Sequence, residues 1–227
     1  DRPPAGFVPE PAQPAFNAAA TDTRAVCDGD GVSGPRFQVV YMYSGTDRYS
    51  TFSASFRLWA KDADLNYQAS ARRTGGERYV RFVHDANCVI SVLNITLSPS
   101  GDNDFWAMSG ELYNQGFHDA NRKYLVFIDR NHPDWCGQAD VYHDDSPGQG
   151  NTNNITYGFS SIYNGCWDSN VTIAHELGHN FGAVQRSAPN ASLWDHCVDE
   201  WDVMCYDDTS GIPLRYECED YAQNSYL

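Results

Sequence analysis

The chain has 227 residues, 41% of them hydrophobic, enough for one domain or two subdomains around a cleft with a sizeable core. Thirty acidic residues against fifteen basic ones give a formal charge of −15, which excludes the electrostatic footprint of a nucleic-acid binder and opposes docking on an anionic membrane. No apolar run approaches the roughly 18 residues of a membrane span, and the sequence opens at Asp1 rather than Met, so a removed or omitted leader or pro-segment is expected.

Residues 1–22 are rich in proline and alanine without periodicity and read as an extended arm. Asp28-Gly29-Asp30-Gly31 reads as a turn, with calcium as a second reading. Residues 37–43 have the composition of a strand. Phe52, Phe56, Trp59 and Ala63 recur at helical steps, which predicts a long helix over about 51–72 packed on a sheet. Residues 78–84 and 89–97 are further strand candidates. A second helix is expected over 105–117, opened by Asp102 or Asp104, and a buried strand over 123–128.

From 131 to 154 the chain is rich in Asp, Gly, Asn and Pro, a long irregular segment of the kind that is usually functional or clamped. Asp140, His143, Asp144 and Asp145 there could hold calcium or a second zinc, and solvated loop residues account for them as well. Residues 155–162 alternate Ile155, Tyr157, Phe159 and Ser161 against Thr156, Gly158 and Ser160. That pattern reads as a half-exposed edge strand, able to bind an extended peptide through Tyr157, Gly158 and Phe159.

The chemistry concentrates in His175-Glu176-Leu177-Gly178-His179-Asn180-Phe181-Gly182. Asp168, Ser169 and Asn170 are candidate N-caps, Val171, Ala174, Gly178 and Phe181 form one apolar stripe, and Gly182 is placed to stop the helix. Residues four apart share a helical face, so His175 and His179 can direct two imidazoles at one ion. Glu176, one residue round, reaches a water on that ion without ligating it. H-E-x-x-H is therefore a zinc site with a built-in general base. The bland alternative is a surface helix with two solvated histidines.

His175-Glu176-x-x-His179-x-x-Gly182, followed by Val203-Met204-Cys205-Tyr206, resembles the metzincin zinc endopeptidases. The resemblance spans roughly residues 37–206 in element order and implies an α+β fold in two subdomains. A 1–36 arm leads into a 37–182 upper part with a twisted, mostly parallel sheet, a backing helix and the active-site helix. A 183–227 lower part then carries the Met-turn. It also implies a secreted peptidase, expected to be a monomer, that cuts polypeptides with Glu176 as base. Met204 would form the floor beneath the ligands, and Tyr206 would match the tyrosine that assists the transition state in astacin-like and serralysin-like members. The 155–162 strand would be the substrate-pairing edge.

The family's third histidine falls at position 185, where this chain has Gln185. Gln185 could bind through its amide oxygen. The other candidate is His196, in Trp194-Asp195-His196-Cys197, and imidazole is the better zinc ligand, so the reading leans to His196. Asp195 is a further candidate. Residues 206–221 should wall the pocket for the residue after the scissile bond, and Asp207, Asp208, Glu217, Glu219 and Asp220 make that neighbourhood acidic. A catalytically inactive binding module of the same fold, with Gln185 as its mark, is the competing function. A disulfide-stapled adhesin with a chance H-E-x-x-H is the third.

Seven cysteines (27, 88, 136, 166, 197, 205 and 218) without C-x-x-C spacing argue for disulfides in an oxidising compartment. The pairing expected is Cys27–Cys88, Cys136–Cys166 and Cys197–Cys205, with Cys218 left over. The alternative for Cys27 is a latency thiol that blocks the metal, as in some related zymogens. Asn94, Asn154, Asn170 and Asn190 open N-x-S/T sequons, which are glycosylated only in a eukaryotic secretory route.

Overall fold

Both faces of the central strands are apolar because helices cover both sides of the sheet. In the computed structural model, which describes residues 22–192, 194–199, 202–208 and 210–215, the elements run β1 (Arg36–Tyr43), α1 (Tyr49–Arg73), β2 (Val92–Thr96), α2 (Phe105–Asn114), β3 (Arg122–Ile128), β4 (Gly137–Ala139), α3 (Thr152–Ile155), β5 (Gly158–Tyr163) and α4 (Asn170–Asn180). The strands form one sheet in the order β2-β1-β3-β5-β4. β2, β1, β3 and β5 are mutually parallel, and β4 alone runs antiparallel, against β5. The architecture is α+β with a mostly parallel sheet.

Alternate residues of each strand enter two separate cores. Val39, Tyr41, Leu125, Phe127 and Ile162 face α1 and α4, joined by Phe56, Ala60, Trp167, Ile173 and Leu177. Val40, Met42, Tyr124, Val126 and Phe159 face α2, where Phe105, Met108 and Leu112 meet them. The aromatic stripe of α1 predicted from spacing lies on the sheet: Phe56 stacks on Phe127 at 4.8 Å, with Trp167 edge-on at 5.0 Å. Of the two proposed openers of α2, Asp104 is the cap, accepting the Ala107 N–H at 2.8 Å, while Asp102 bonds Ser44 and Arg130.

Three strand expectations change. Residues 78–84 make single bridges rather than a strand, because side chains satisfy the neighbouring backbone: Arg36 donates to the Phe82 carbonyl and Asp64 accepts the Val80 N–H. The 89–97 candidate shortens to β2, its Ile90 carbonyl taken by Arg57. The 155–162 segment is not an edge. Residues 152–155 form α3, every residue of β5 is buried, and β4 lies outside it. Tyr157, Gly158 and Phe159 therefore do not offer a free backbone edge. The small residues that suggested solvent exposure instead let α4 approach: a Cβ at Gly158 would come within 3.3 Å of Asn180 Nδ2, and the Ser160 hydroxyl donates to the Glu176 carbonyl at 3.0 Å.

Disulfides join Cys27–Cys88, Cys136–Cys166 and Cys197–Cys205, as expected. Cys27 is thus bonded and not a free latency thiol; Cys218 lies outside the described residues. Among the described residues, no helix is long and apolar enough to cross a membrane. Asp28 and Asp30 hold their own turn, Asp30 accepting the N–H groups of Val32 and Ser33 and Asp28 pairing with Arg81.

Asp64 of α1 is 2% exposed. Burial, opposed by hydrogen bonds from Val80 and Gln68, lifts its carboxyl from 3.8 to about 6. A raised carboxyl contributes stability that is present below its unfolded pKa and lost as pH rises through the folded one. Relative to Asp64→Asn, the wild-type chain is therefore expected to lose up to about 3 kcal/mol between roughly pH 4 and pH 7. Urea unfolding of both proteins across that range checks it.

Candidate metal centre

Ser169 opens α4, its hydroxyl accepting the Thr172 N–H at 3.2 Å. Gly182 closes it at φ +95°, and a Cβ there would lie 2.9 Å from Asn153 Nδ2, so position 182 requires glycine on both counts. Between these ends the helix is fixed from beneath by Asn180, which is 1% exposed and donates to the carbonyls of Asp140 and Phe159 at 2.8 and 3.1 Å.

The two helical histidines face each other, Nε2 to Nε2 at 3.0 Å. His175 Nδ1 lies 2.8 Å from the Val203 carbonyl and His179 Nδ1 2.7 Å from the Ala183 carbonyl. A carbonyl only accepts, so each Nδ1 carries the hydrogen and each Nε2 presents a bare lone pair. His196 completes the group: its ring centroid is 5.1 Å from those of both His175 and His179, and the three ligand atoms lie within 4.8 Å of one another. Its other nitrogen approaches Asp208 at 3.4 Å. Burial lowers His175 to about 4 and, with the neighbouring imidazoles adding, His179 to about 3. At neutral pH no proton separates the facing nitrogens. Three converging neutral imidazoles, two oriented by main-chain carbonyls, are the donor set a divalent metal ion takes.

Gln185 is not part of this group. Its amide nitrogen donates to the carbonyls of Tyr142 and Gly182, each at 2.8 Å, and holds the loop behind the helix. Asp195 is engaged by His143 at 2.7 Å and Arg186 at 3.0 Å. Among the described residues, Asp140, His143, Asp144 and Asp145 do not bring three side-chain ligand atoms together. Asp144 instead accepts the N–H groups of Ser146 and Thr152, and Asp140 accepts that of Phe159.

Glu176 is 5% exposed and its Oε2 has no hydrogen-bond partner. Burial pushes its carboxyl up to about 8. Tyr206 sets its hydroxyl 3.1 Å from His196 Nε2, and burial, with Glu176 and Asp208 nearby, holds the phenol at about 12, so it stays a donor. Met204 is 2% exposed on a turn tied by Asp202, whose Oδ1 accepts the Met204 N–H at 2.8 Å. Gly178 of α4 rests on its thioether, with Cε 3.1 Å from the place a Cβ would occupy.

The edge of the sheet beside this group is β4, which residue patterning did not reveal. The Tyr163 N–H donates to the Cys136 carbonyl and the Asp140 N–H to the Phe159 carbonyl, both at 2.9 Å. In an antiparallel pair such bonds alternate, so Gly137 and Ala139 turn their main-chain groups away from β5, along a cavity of about 580 Å³ that holds His175, Glu176, His179 and His196. A second cavity, of about 400 Å³, adjoins it and shares Trp135, Gly137, His175, Glu176 and Tyr206. Asp207 and Asp208 line the first cavity, while Glu217, Glu219 and Asp220 lie outside the described residues.

No protein-family model matches the chain, and no curated protein sequence matches it. It is similar in structure to wild-type OgpA from Akkermansia muciniphila, at 14% identity and a TM-score of 0.42 over 65% of this chain and 48% of that one. The catalytically inactive OgpA, in complex with an O-glycopeptide substrate, gives 12% identity and 0.37 over the same shares. Metalloproteinase-II from Bacteroides fragilis gives 14% identity and 0.34, over 75% of this chain and 46% of that one. The chain spans less than half the length of these three.

His196→Ala is expected to weaken divalent-metal binding by roughly a hundredfold or more, since loss of a ligand exceeds the 10–100-fold cost of losing a ligand's supporting partner. Gln185→Ala should leave it within about twofold. Metal analysis of the purified variants, with chelator competition, measures the order.

Proposed function

We propose that the chain is a secreted zinc endopeptidase of the metzincin type. His175, His179 and His196 hold the metal, Glu176 is the general base, Tyr206 assists, and Met204 forms the floor of a Met-turn. The observation that carries this reading is the unpartnered, buried Oε2 of Glu176 beside three converging imidazoles, at the junction of two cavities under a free strand edge. The division into a 1–36 arm, a 37–182 upper part and a 183–227 lower part belongs to the same proposal, as does a monomer. Three disulfides support secretion.

When bound, zinc supplies Lewis acidity, lowering the pKa of a water and polarising a peptide carbonyl. A cation beside Glu176 favours its ionised form and offsets the burial that otherwise keeps the carboxyl protonated near neutrality. Glu176 then takes the proton of the attacking water and returns it to the leaving amine. Tyr206 donates its hydroxyl hydrogen to the carbonyl oxygen as negative charge builds there. β4, rather than the 157–159 segment expected from the sequence, is the strand along which an extended substrate adds, through the outward N–H and C=O groups of Gly137 and Ala139. Gly137 is required for a second reason. A Cβ there would lie 2.6 Å from Glu176 Oε1 and 2.8 Å from the Ser161 carbonyl, so only hydrogen leaves the base its place. The convergence of His196 supports the active reading over an inactive module marked by Gln185.

Digestion of a denatured protein should be blocked by a chelator and restored by zinc. Glu176→Gln should keep the metal and lose about 10²–10⁴-fold in kcat; turnover within tenfold of wild type would overturn the role given to Glu176. Gly137→Ala should also abolish digestion, at a stability cost of about 1–3 kcal/mol from overpacking, read from activity and unfolding on the same sample.

A further inference from the structure

Asp134, Trp135, Val171 and Asp202 line the smaller cavity beside Glu176, and the peptidase reading gives them no role. We propose that this cavity receives a cationic side chain, arginine or lysine, adjoining the scissile bond of the substrate, and that Asp202 is the residue that selects it. The inference rests on the endopeptidase reading and names the substrate class of that same site.

The cavity measures about 400 Å³, within the roughly 300–1,000 Å³ usual for ligand pockets, and it touches Glu176, His175 and Tyr206, so its occupant lies next to the reacting bond. Trp135 and Val171 offer apolar wall for an aliphatic stem, and Asp134 and Asp202 supply carboxylates. Among the described residues, no lysine or arginine lines it. An apolar occupant would take the Asp202 carboxylate out of water with only the Met204 N–H as its partner, and an acidic one would add like charge; a guanidinium or ammonium compensates it. Asp202 is held in place by the turn that carries Met204, its Oδ1 taking the Met204 N–H and its carbonyl taking the Cys205 N–H at 3.1 Å. Burial, with Asp199 nearby, raises its carboxyl, and a cation entering the cavity relieves that cost. Asp134 is exposed at the rim.

The test is a set of peptides differing only at the positions flanking the cut, carrying Arg, Lys, Leu or Glu, scored by mass spectrometry and kcat/KM. Arg and Lys at one flanking position should exceed Leu by roughly tenfold to a hundredfold, the range of a charge-assisted hydrogen bond. Asp202→Asn, which retains Oδ1 for the Met204 N–H, should erase that preference while the Leu peptide is still cut. Asp134→Asn, remote from that turn, should reduce it and serves if Asp202→Asn does not fold. NMR titration of argininamide and leucinamide into the metal-free chain gives a readout independent of turnover: argininamide alone should shift the resonances of Trp135 and Val171. Equal or higher rates for Leu, or an Arg preference that survives both substitutions, would overturn the inference. If no peptide is cut, the peptidase reading fails, and the argininamide titration decides the charge preference of the cavity by itself.

Discussion

Two imidazole nitrogens 3.0 Å apart, each on a ring whose other nitrogen is tied to a main-chain carbonyl, bring bare lone pairs face to face. That arrangement is favourable only with positive charge between them, and burial holds both rings too acidic to keep a proton at neutral pH. The same demand extends to Glu176, whose burial costs least as a carboxylate when a cation lies beside it. The histidines and the glutamate thus form one electrostatic problem, and a single divalent ion relieves all of it.

Much of the remaining structure keeps that problem in place. α4 is held against the sheet by Asn180 and by the Ser160 hydroxyl, and Gly178 lies against Met204. The turn at Met204 supplies the carbonyl that orients His175, and the Cys197–Cys205 disulfide ties that turn to the segment carrying His196. Ala183, just beyond Gly182, supplies the carbonyl for His179. The third imidazole is thus anchored to the same short turn that braces the first, and His175 and His179 are oriented by backbone rather than by mobile side chains.

What the sequence discloses follows from how local each signal is. α4 is legible in most of its parts: H-E-x-x-H and the closing glycine are contiguous, and Ser169 is one of the three candidate caps. Its core face, however, is made by Ile173, Ala174, Leu177 and Gly178, while Phe181 of the expected stripe is 48% exposed. α1 is legible because its apolar periodicity reports the face it buries, and β1 and β3 because short, mostly apolar runs suit strands buried on both faces. β4 is not, since Gly137, Gln138 and Ala139 carry no strand preference; Ala139 and Gly137 lie where they do because β5 and the Cys136 bridge place them there. β5 departs from its half-exposed pattern because Gly158 and Ser160 fit solvent in an edge strand and close helix packing in a buried one equally well. Gln185 and His196 could not be separated from chain position alone, because the contact of residue 196 with residues 175 and 179 is tertiary. Asn180 left no distinct trace, since α4 already carries Glu176 and His179 among its buried residues. Asp202 and Trp135 left none, since a cavity wall is assembled from segments far apart in the chain.

X-ray absorption spectroscopy of the zinc-loaded chain tests the central claim most directly. The prediction is one zinc per chain with three imidazole nitrogens at about 2.0–2.1 Å and loss of one imidazole in His196→Ala. A first shell with two imidazoles that is unchanged by that substitution, or a chain that takes up no zinc, would contradict it.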